Sequence, residues 1–448
     1  MRIGIGSGVC FGARRNPLAA YAAAGFVPKL VANFTTEFYA KEGRKSTFGG
    51  VLESTATTNG TMVDSDGLLK WRPHNEATNP TAPASQTISV VSGADYTVEC
   101  TGVSIVLSGA GTGTVTEGNP VEITAGSTSL TLTVTGSTGT LWAYRSDLGG
   151  MVNNPDTGTS FVPTTGYLPR RNHYVYNGSA WVKAGTLIEP QTRTNLLLNS
   201  GGLSTQSVTV SATPHTLHFT GTGSITLSGA HSATLAGTGT GEENRVSLTF
   251  TPSAGTLVVT VSGTVTNAQL EEGSTPSSYI PTSGSQVARA GEQVVIPDEN
   301  ISWPAGDELS IHLKFLATYA DDGGSFRPLQ WASASNSIRY YIDTASGTGQ
   351  VKGFQFGPLA SSSSSSGASV YSPGVNVPMN IASRHAASSF NIAVDGSAQT
   401  ENTTSTGLPD LETADLQLAY TGGSMILQEV SLWDVGIGDA GTEDATDD

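Results

Sequence analysis

Polar and apolar residues alternate along much of the chain. Ser129 to Gly136 reads Ser-Leu-Thr-Leu-Thr-Val-Thr-Gly, which places Leu130, Leu132 and Val134 on one face of an extended chain and threonines on the other. This is a period-two pattern of strand-favouring residues, closed by a turn glycine. Glu308 to Phe315 repeats it, with Leu309, Ile311, Leu313 and Phe315 opposite Ser310, His312 and Lys314. Between such runs lie Gly-Thr-Gly, Ser-Gly-Ala and Asp-Gly clusters at spacings of about 8–12 residues, the punctuation of a sandwich or barrel. Asp395-Gly396 is a hairpin signal, because glycine accepts the positive φ of a tight turn. Helical signal is confined to the alanine-rich Leu18 to Gly25, which predicts one short N-terminal helix. The pattern predicts an all-β chain.

An internal duplication organises it. Gln86-Thr-Ile-Ser-Val90 recurs as Gln206-Ser-Val-Thr-Val210, and Ser104-Ile-Val-Leu-Ser-Gly-Ala110 as Ser224-Ile-Thr-Leu-Ser-Gly-Ala230, both at an offset of 120. Ser160-Phe-Val-Pro-Thr-Thr-Gly166 matches Ser278-Tyr-Ile-Pro-Thr-Ser-Gly284 at 118. Such a period suits whole domains and is too long for a solenoid. The expected organisation is an N-terminal region at 1–83, one β-sandwich at 84–168, a connecting segment at 169–202, a second copy at 203–288, a third β-unit at 289–438 and an acidic tail at 439–448. The tail lacks apolar residues other than alanine and is expected to be solvated and mobile. The serine run Ser361 to Ser366 reads as a flexible loop.

Composition removes several function classes. Charged residues are 13% of the 448, about half the usual ~25%, and 54 glycines with abundant Ser and Thr take their place. A net charge of −16 argues against a nucleic-acid backbone as partner, since that needs clustered Lys and Arg. No apolar run reaches the ~18 residues of a membrane span. Cys10 and Cys100 can form neither a disulfide framework nor a cysteine-based zinc site. The start, Met1-Arg2-Ile3-Gly4-Ile5-Gly6-Ser7-Gly8, is glycine-broken, with Arg14-Arg15 after the apolar run, unlike a secretion signal. An extracellular role would then need another route, such as assembly into a particle inside a cell.

Thr186 to Ser200 reads Thr-Leu-Ile-Glu-Pro-Gln-Thr-Arg-Thr-Asn-Leu-Leu-Leu-Asn-Ser, and it resembles the G-L-L-I-E-x-x-R-T-N-L-L-x-x-S segment of a family, the structural proteins of tailed-bacteriophage virions. Ser54 to Thr58 and Val63 to Leu69 resemble the segment that precedes it there, without its arginine. Ala268-Gln-Leu-Glu-Glu-Gly273 with Ser278-Tyr-Ile-Pro281 is similar to the ending of the family's carbohydrate-binding-module-like jelly rolls. Phe390 to Gly396, Leu416 to Gly423 and Ile426 to Trp433 resemble a laminin-G or concanavalin-like sandwich. The resemblance implies tandem sandwiches: two jelly-roll-like copies, then a concanavalin-like unit, behind a small N-terminal attachment region. In Tyr279-Ile-Pro281 the proline cannot donate to a ladder, so it is expected to close a strand.

Candidate chemistry is sparse. His215 and His218 lie three apart, on opposite faces of a strand and poorly placed for one metal. Glu271-Glu272 and Asp321-Asp322 are neighbours that point apart, whereas glycoside hydrolysis needs two facing carboxylates. No G-x-S-x-G elbow, P-loop or H-E-x-x-H occurs. No enzyme, no cofactor and no metal are expected; Asp321, Asp322 and Asp343 are loop acids suited to calcium or, as readily, to solvated turns. Sugars stack on aromatic faces, and Trp331, Arg339, Tyr340, Tyr341 and Phe354 are the candidate glycan-binding residues, with core or subunit packing as the alternative. Tyr340 and Tyr341 are adjacent, so one should face the core and the other should not.

The resemblance implies a non-enzymatic fibre, spike or head or tail appendage on the virion surface, assembled in the host cytoplasm. Its partners would be other virion proteins through the N-terminal region, itself as a homotrimer, and host-surface polysaccharide. The alternatives are a decoration without receptor, or a polysaccharide depolymerase.

Overall fold

A computed structural model describes residues 16–304, 306–357, 361–365, 369–404 and 407–447. The glycine-broken start, with Cys10 and Arg14-Arg15, and Ser366 lie outside the described residues. The fold is all-β, built from antiparallel sheets stacked as three sandwiches with separate apolar cores.

The two copies share one topology. In the first, Gly113–Val115, Ser104–Gly109, Ser129–Thr135 and Gln86–Ser89 form a four-stranded sheet over Val121–Thr124, Asp95–Thr101 and Thr140–Arg145. In the second, Ala233–Ala236, Ser224–Gly229, Gly255–Ser262 and Gln206–Val210 lie over Val246–Phe250, His215–Thr220 and Thr266–Glu272 in the same order. The alternation puts Ile105, Leu107, Leu130 and Leu132 inside one copy and Ile225, Leu227, Leu257 and Val259 inside the other. Each copy is pinned by one asparagine. Asn75 Nδ2 donates to the carbonyls of Leu141 and Val162 (3.2 and 3.0 Å), and Oδ1 accepts from Ala77 N and Ala143 N (3.0 Å each). Asn195, 120 residues on, bonds the carbonyls of Ala268 and Ile280 and the amides of Leu197 and Leu270. The duplicated units therefore begin about ten residues before the first repeat visible in sequence.

The third sandwich is discontinuous. Its ten-stranded sheet centres on Ser424–Trp433, which pairs with Glu308–Tyr319 along one edge. Along its other edge it pairs with Leu30–Asn33 and, end to end with that strand, Trp181–Ile188. The facing seven-stranded sheet runs from Ser361–Ser365 through Gln350–Phe356, Asn336–Asp343, Ser325–Ser333, Leu416–Thr421 and Gln293–Ile296 to Glu53–Thr55. Residues 30–55 and 170–188, which the sequence places in an N-terminal region and a connecting segment, are thus strands of the large sandwich. The small modules are two insertions into it.

Four local expectations are corrected. The serine run is an edge strand, Ser361–Ser365, paired to Gln350–Phe356, because backbone hydrogen bonds serve where side chains carry no pattern. The acidic end forms the helix Gly438–Thr446, docked through Thr442 and Thr446, both buried, with Asn380 Nδ2 donating to Thr446 O and Gly396 N to Thr446 Oγ1 (3.0 Å each). Polar docking of this kind escapes a search for apolar periodicity. Tyr279-Ile-Pro281 closes no strand; it is a buried loop beyond Thr266–Glu272. The helical signal near Leu18 becomes a single 3-10 turn, Pro17–Tyr21. Asp395-Gly396 turns as expected, with φ of 44° and 74°, between Phe390–Val394 and Ser397–Ala398.

Candidate functional site

A cleft of about 300 Å³ opens where the two small modules meet. One wall comes from the first module, through Trp71, Glu76, Val90, Tyr96 and Arg145. The other comes from Tyr279 to Pro281 and Val287 to Arg289 of the second, with Thr57 to Gly60 along the rim. Tyr167 enters because Gly166–Tyr167 pairs antiparallel with His74–Asn75, which sets its ring beside Glu76.

The polar groups are fixed from behind. Tyr167 Oη lies 3.3 Å from both Glu76 carboxyl oxygens. Burial pushes the Glu76 carboxyl up to about 7, against the lowering effects of Tyr167 and Arg145. Arg145 stacks on the Trp71 ring at 4.3 Å and forks onto Asp147 (2.8 and 2.9 Å), which also accepts from Trp71 Nε1 at 2.7 Å. His74 is buried; Nδ1 faces Arg72 O at 2.8 Å and Nε2 faces Arg145 N at 2.9 Å, which assigns the neutral Nδ1–H tautomer. Burial, with the Arg72 and Arg145 charges, lowers its pKa to about 4. Among the described residues, Glu76 is the single carboxylate that lines the cleft.

A folded-state pKa near 7 for Glu76, above the unfolded value of 4.5, carries a signed consequence. The group stabilises the fold in its protonated form, so stability falls as pH rises from about 4.5 to 7 and levels off beyond. The full difference is roughly 3 kcal/mol. Glu76→Gln is expected to raise the melting temperature at pH 8.5 and to leave it nearly unchanged at pH 4; equal shifts at both would show an ordinary carboxyl.

Behind the cleft lies a buried ionic cluster. Arg72 opens the first module, Arg170 and Glu189 flank the hairpin of the large sheet, and Arg289 and Glu292 follow the second module. All five are at most 5% exposed. Glu292 accepts from Arg170 Nε at 2.9 Å and from Arg72 Nη2, and Glu189 pairs with Arg170 Nη1 at 2.5 Å. Glu189 also accepts from Ser278 N (2.7 Å) and Ser278 Oγ (2.6 Å). Burial alone would raise both carboxyls, but the arginines hold both well below the usual range. The Leu-Ile-Glu and Ser-Tyr-Ile-Pro motifs of the sequence meet here.

The sequence-predicted glycan residues lie elsewhere, and the structure separates them. Trp331 and Tyr340 are core residues of the large sandwich; Tyr340 Oη bonds Ser383 Oγ (2.6 Å) and Ile311 O (3.0 Å), and Trp331 Nε1 bonds Ala414 O (2.6 Å). Arg339, Tyr341 and Phe354 are half-buried on the outer face of the seven-stranded sheet. There Tyr341 meets Phe354 edge-on at 4.9 Å and Arg327 stacks on Tyr341 at 4.6 Å. The loop acids sit in turns: Asp343 accepts from Lys352 and Ser346, Asp321 from Thr348 and Asp322 from Gly324 N. His218 faces Glu271 at 3.3 Å and Arg245 at 2.9 Å inside the second module, while Glu272 is exposed. Among the described residues no three His, Cys, Asp or Glu side chains gather as a metal site.

Sequence reasoning missed the cleft because its lining comes from seven separated stretches. One signal was available: Asn75 and Asn195, and Asn79 and Asn199, keep the 120-residue offset and would have extended the first module back to Glu76.

No protein-family model matches the chain. No curated protein matches it either. Among solved structures, the botulinum neurotoxin serotype D binding domain aligns over 35% of this chain and 39% of its own at 7% identity, with a TM-score of 0.28. A structure reporting that cell entry of botulinum neurotoxin type C depends on interaction with two ganglioside molecules aligns over 33% and 38% at 10% identity, TM-score 0.28. NanB with Optactamide aligns over 30% and 23% at 17% identity, TM-score 0.24. This chain thus spans well under half the length of each. The fold described above rests on strand pairing alone.

Proposed function

We propose that this protein is a non-enzymatic glycan-binding protein of a virion surface, and that the inter-module cleft is its saccharide site. The observation that carries the reading is the make-up of the cleft: aromatic and aliphatic walls with a few convergent polar groups, among them Tyr167, Glu76 and Arg145 held in place by hydrogen bonds. Ligand sites are built this way, and a sugar offers apolar C–H faces to rings and hydroxyls to groups such as Glu76, Tyr167 and Asn59. A single lining carboxylate favours binding over hydrolysis, since Asp147 is occupied by Arg145 and Trp71. The virion role rests on the phage-like motifs. Attachment to other virion proteins through the N-terminal region and assembly as a homotrimer, which would multiply weak sugar contacts, belong to the same proposal.

The test is a glycan array with the full-length protein, followed by titration of two variants and an adsorption assay. Tyr167→Ala is expected to weaken binding about tenfold, roughly 1.4 kcal/mol, while Tyr341→Ala on the outer sheet face stays within twofold. The opposite ranking would move the site to the outer face. Protein that binds host cells and blocks particle adsorption without releasing reducing ends supports the adhesin; sugar release would make it a depolymerase.

A further inference from the structure

The ionic cluster behind the cleft is unbalanced. It holds three guanidinium groups against two carboxylates, all buried. Its spare donors are on the two arginines nearest the cleft. Arg289 is 2% exposed and lines the cavity. Its Nε makes no hydrogen bond, its Nη2 lies 3.4 Å from Glu189 without hydrogen-bond geometry, and its Nη1 reaches only Ala290 O at 3.4 Å. Arg72 spends Nη2 on Glu292 and leaves Nε and Nη1 unpaired. Gly60 on the rim packs against this side chain: a Cβ there would lie 3.2 Å from Arg72 Nη2 and 3.4 Å from its unpaired Nε.

Buried donors without partners are rare, because each costs about 1–3 kcal/mol. Four such nitrogens on one cluster of excess positive charge, beside a cavity, describe a site that awaits an acceptor. A guanidinium fork matches a planar carboxylate. We propose that the cleft selects acidic saccharides, with the sugar carboxylate seated against Arg289 and the ring between the module walls. This inference rests on the glycan reading of the cleft and names its ligand class. A net charge of −16 repels acidic glycans in general, so this selectivity would have to come from the local excess of guanidinium groups. Glu76, facing the same space, is largely neutral below about pH 7 because of its burial, and so offers little repulsion there.

The experiment changes the ligand before the protein. Full-length protein is titrated at pH 6 with oligosaccharides ending in sialic acid or glucuronic acid, and with the same oligosaccharides after carboxyl reduction. Reduction is expected to weaken binding at least thirtyfold for one of the two acids. Arg289→Gln should remove the difference between acid and reduced forms; a purely structural role for Arg289 would lower both alike and overturn the assignment. Equal binding of acid and reduced forms by the unaltered protein would also overturn it, leaving a neutral-glycan site. Binding of neither form, together with a blank glycan array, would remove the glycan reading itself.

Discussion

Glu292→Ala is expected to destabilise the protein by about 3–5 kcal/mol, the range for breaking a buried ion pair from one side. Glu292 answers Arg72 and Arg170, and its Oε1 also accepts from the Glu189 amide at 3.2 Å. Without it, three buried guanidinium groups face one carboxylate. The cluster ties both small modules to the large sandwich, so the loss should appear as more than a lower melting point. Calorimetry should resolve a single transition into separate module transitions, with urea midpoints shifted accordingly. An unchanged single transition would show that the cluster does not couple the modules. The pH dependence follows from the depressed pKa values of Glu189 and Glu292. Their contribution is present above the unfolded carboxyl pKa of about 4.5 and is lost as pH falls through the folded values, so wild type should unfold in acid and the variant should show a smaller acid effect.

The second large effect is expected twice. Asn75→Ala and Asn195→Ala each orphan two buried carbonyls and two buried amides. At about 1 kcal/mol or more per group, each should cost roughly 4 kcal/mol. The damage should stay local, with hydrogen exchange rising in the first module for one variant and in the second for the other. Aspartate has nearly the same shape but would turn an acceptor toward two carbonyls. Asn75→Asp should therefore be as damaging as alanine; a mild aspartate variant would show that the side chain merely fills space.

These residues also mark what was legible in the sequence. Alternation found the strands whose two faces differ, such as Ser129–Thr135 and Glu308–Tyr319, and the 120-residue offset found both small modules. It could not find Leu30–Asn33 or Glu53–Thr55 as parts of the large sandwich. Strands of three or four residues carry almost no pattern, and their partners lie far along the chain. Adjacent Tyr340 and Tyr341 do divide between core and surface, as alternation requires. Trp331, read as a possible sugar platform, is 2% exposed, since a large ring satisfies a core as well as a ligand. The cleft was illegible for a different reason: it belongs to neither module, and composition says nothing about which loops meet.

The discontinuous large sandwich also sets a schedule for synthesis. Leu30–Asn33 emerges from the ribosome early, but its partner Ser424–Trp433 is made roughly 390 residues later. At about 5–20 residues per second, that is a wait of about 20–80 s. Both small modules are complete within the interval and can fold as they emerge. The early strands meanwhile carry unpaired edges, the kind of surface that recruits other chains. Nascent chains of this protein should therefore be most exposed to mispairing, and most dependent on chaperones, just before the last strand is released.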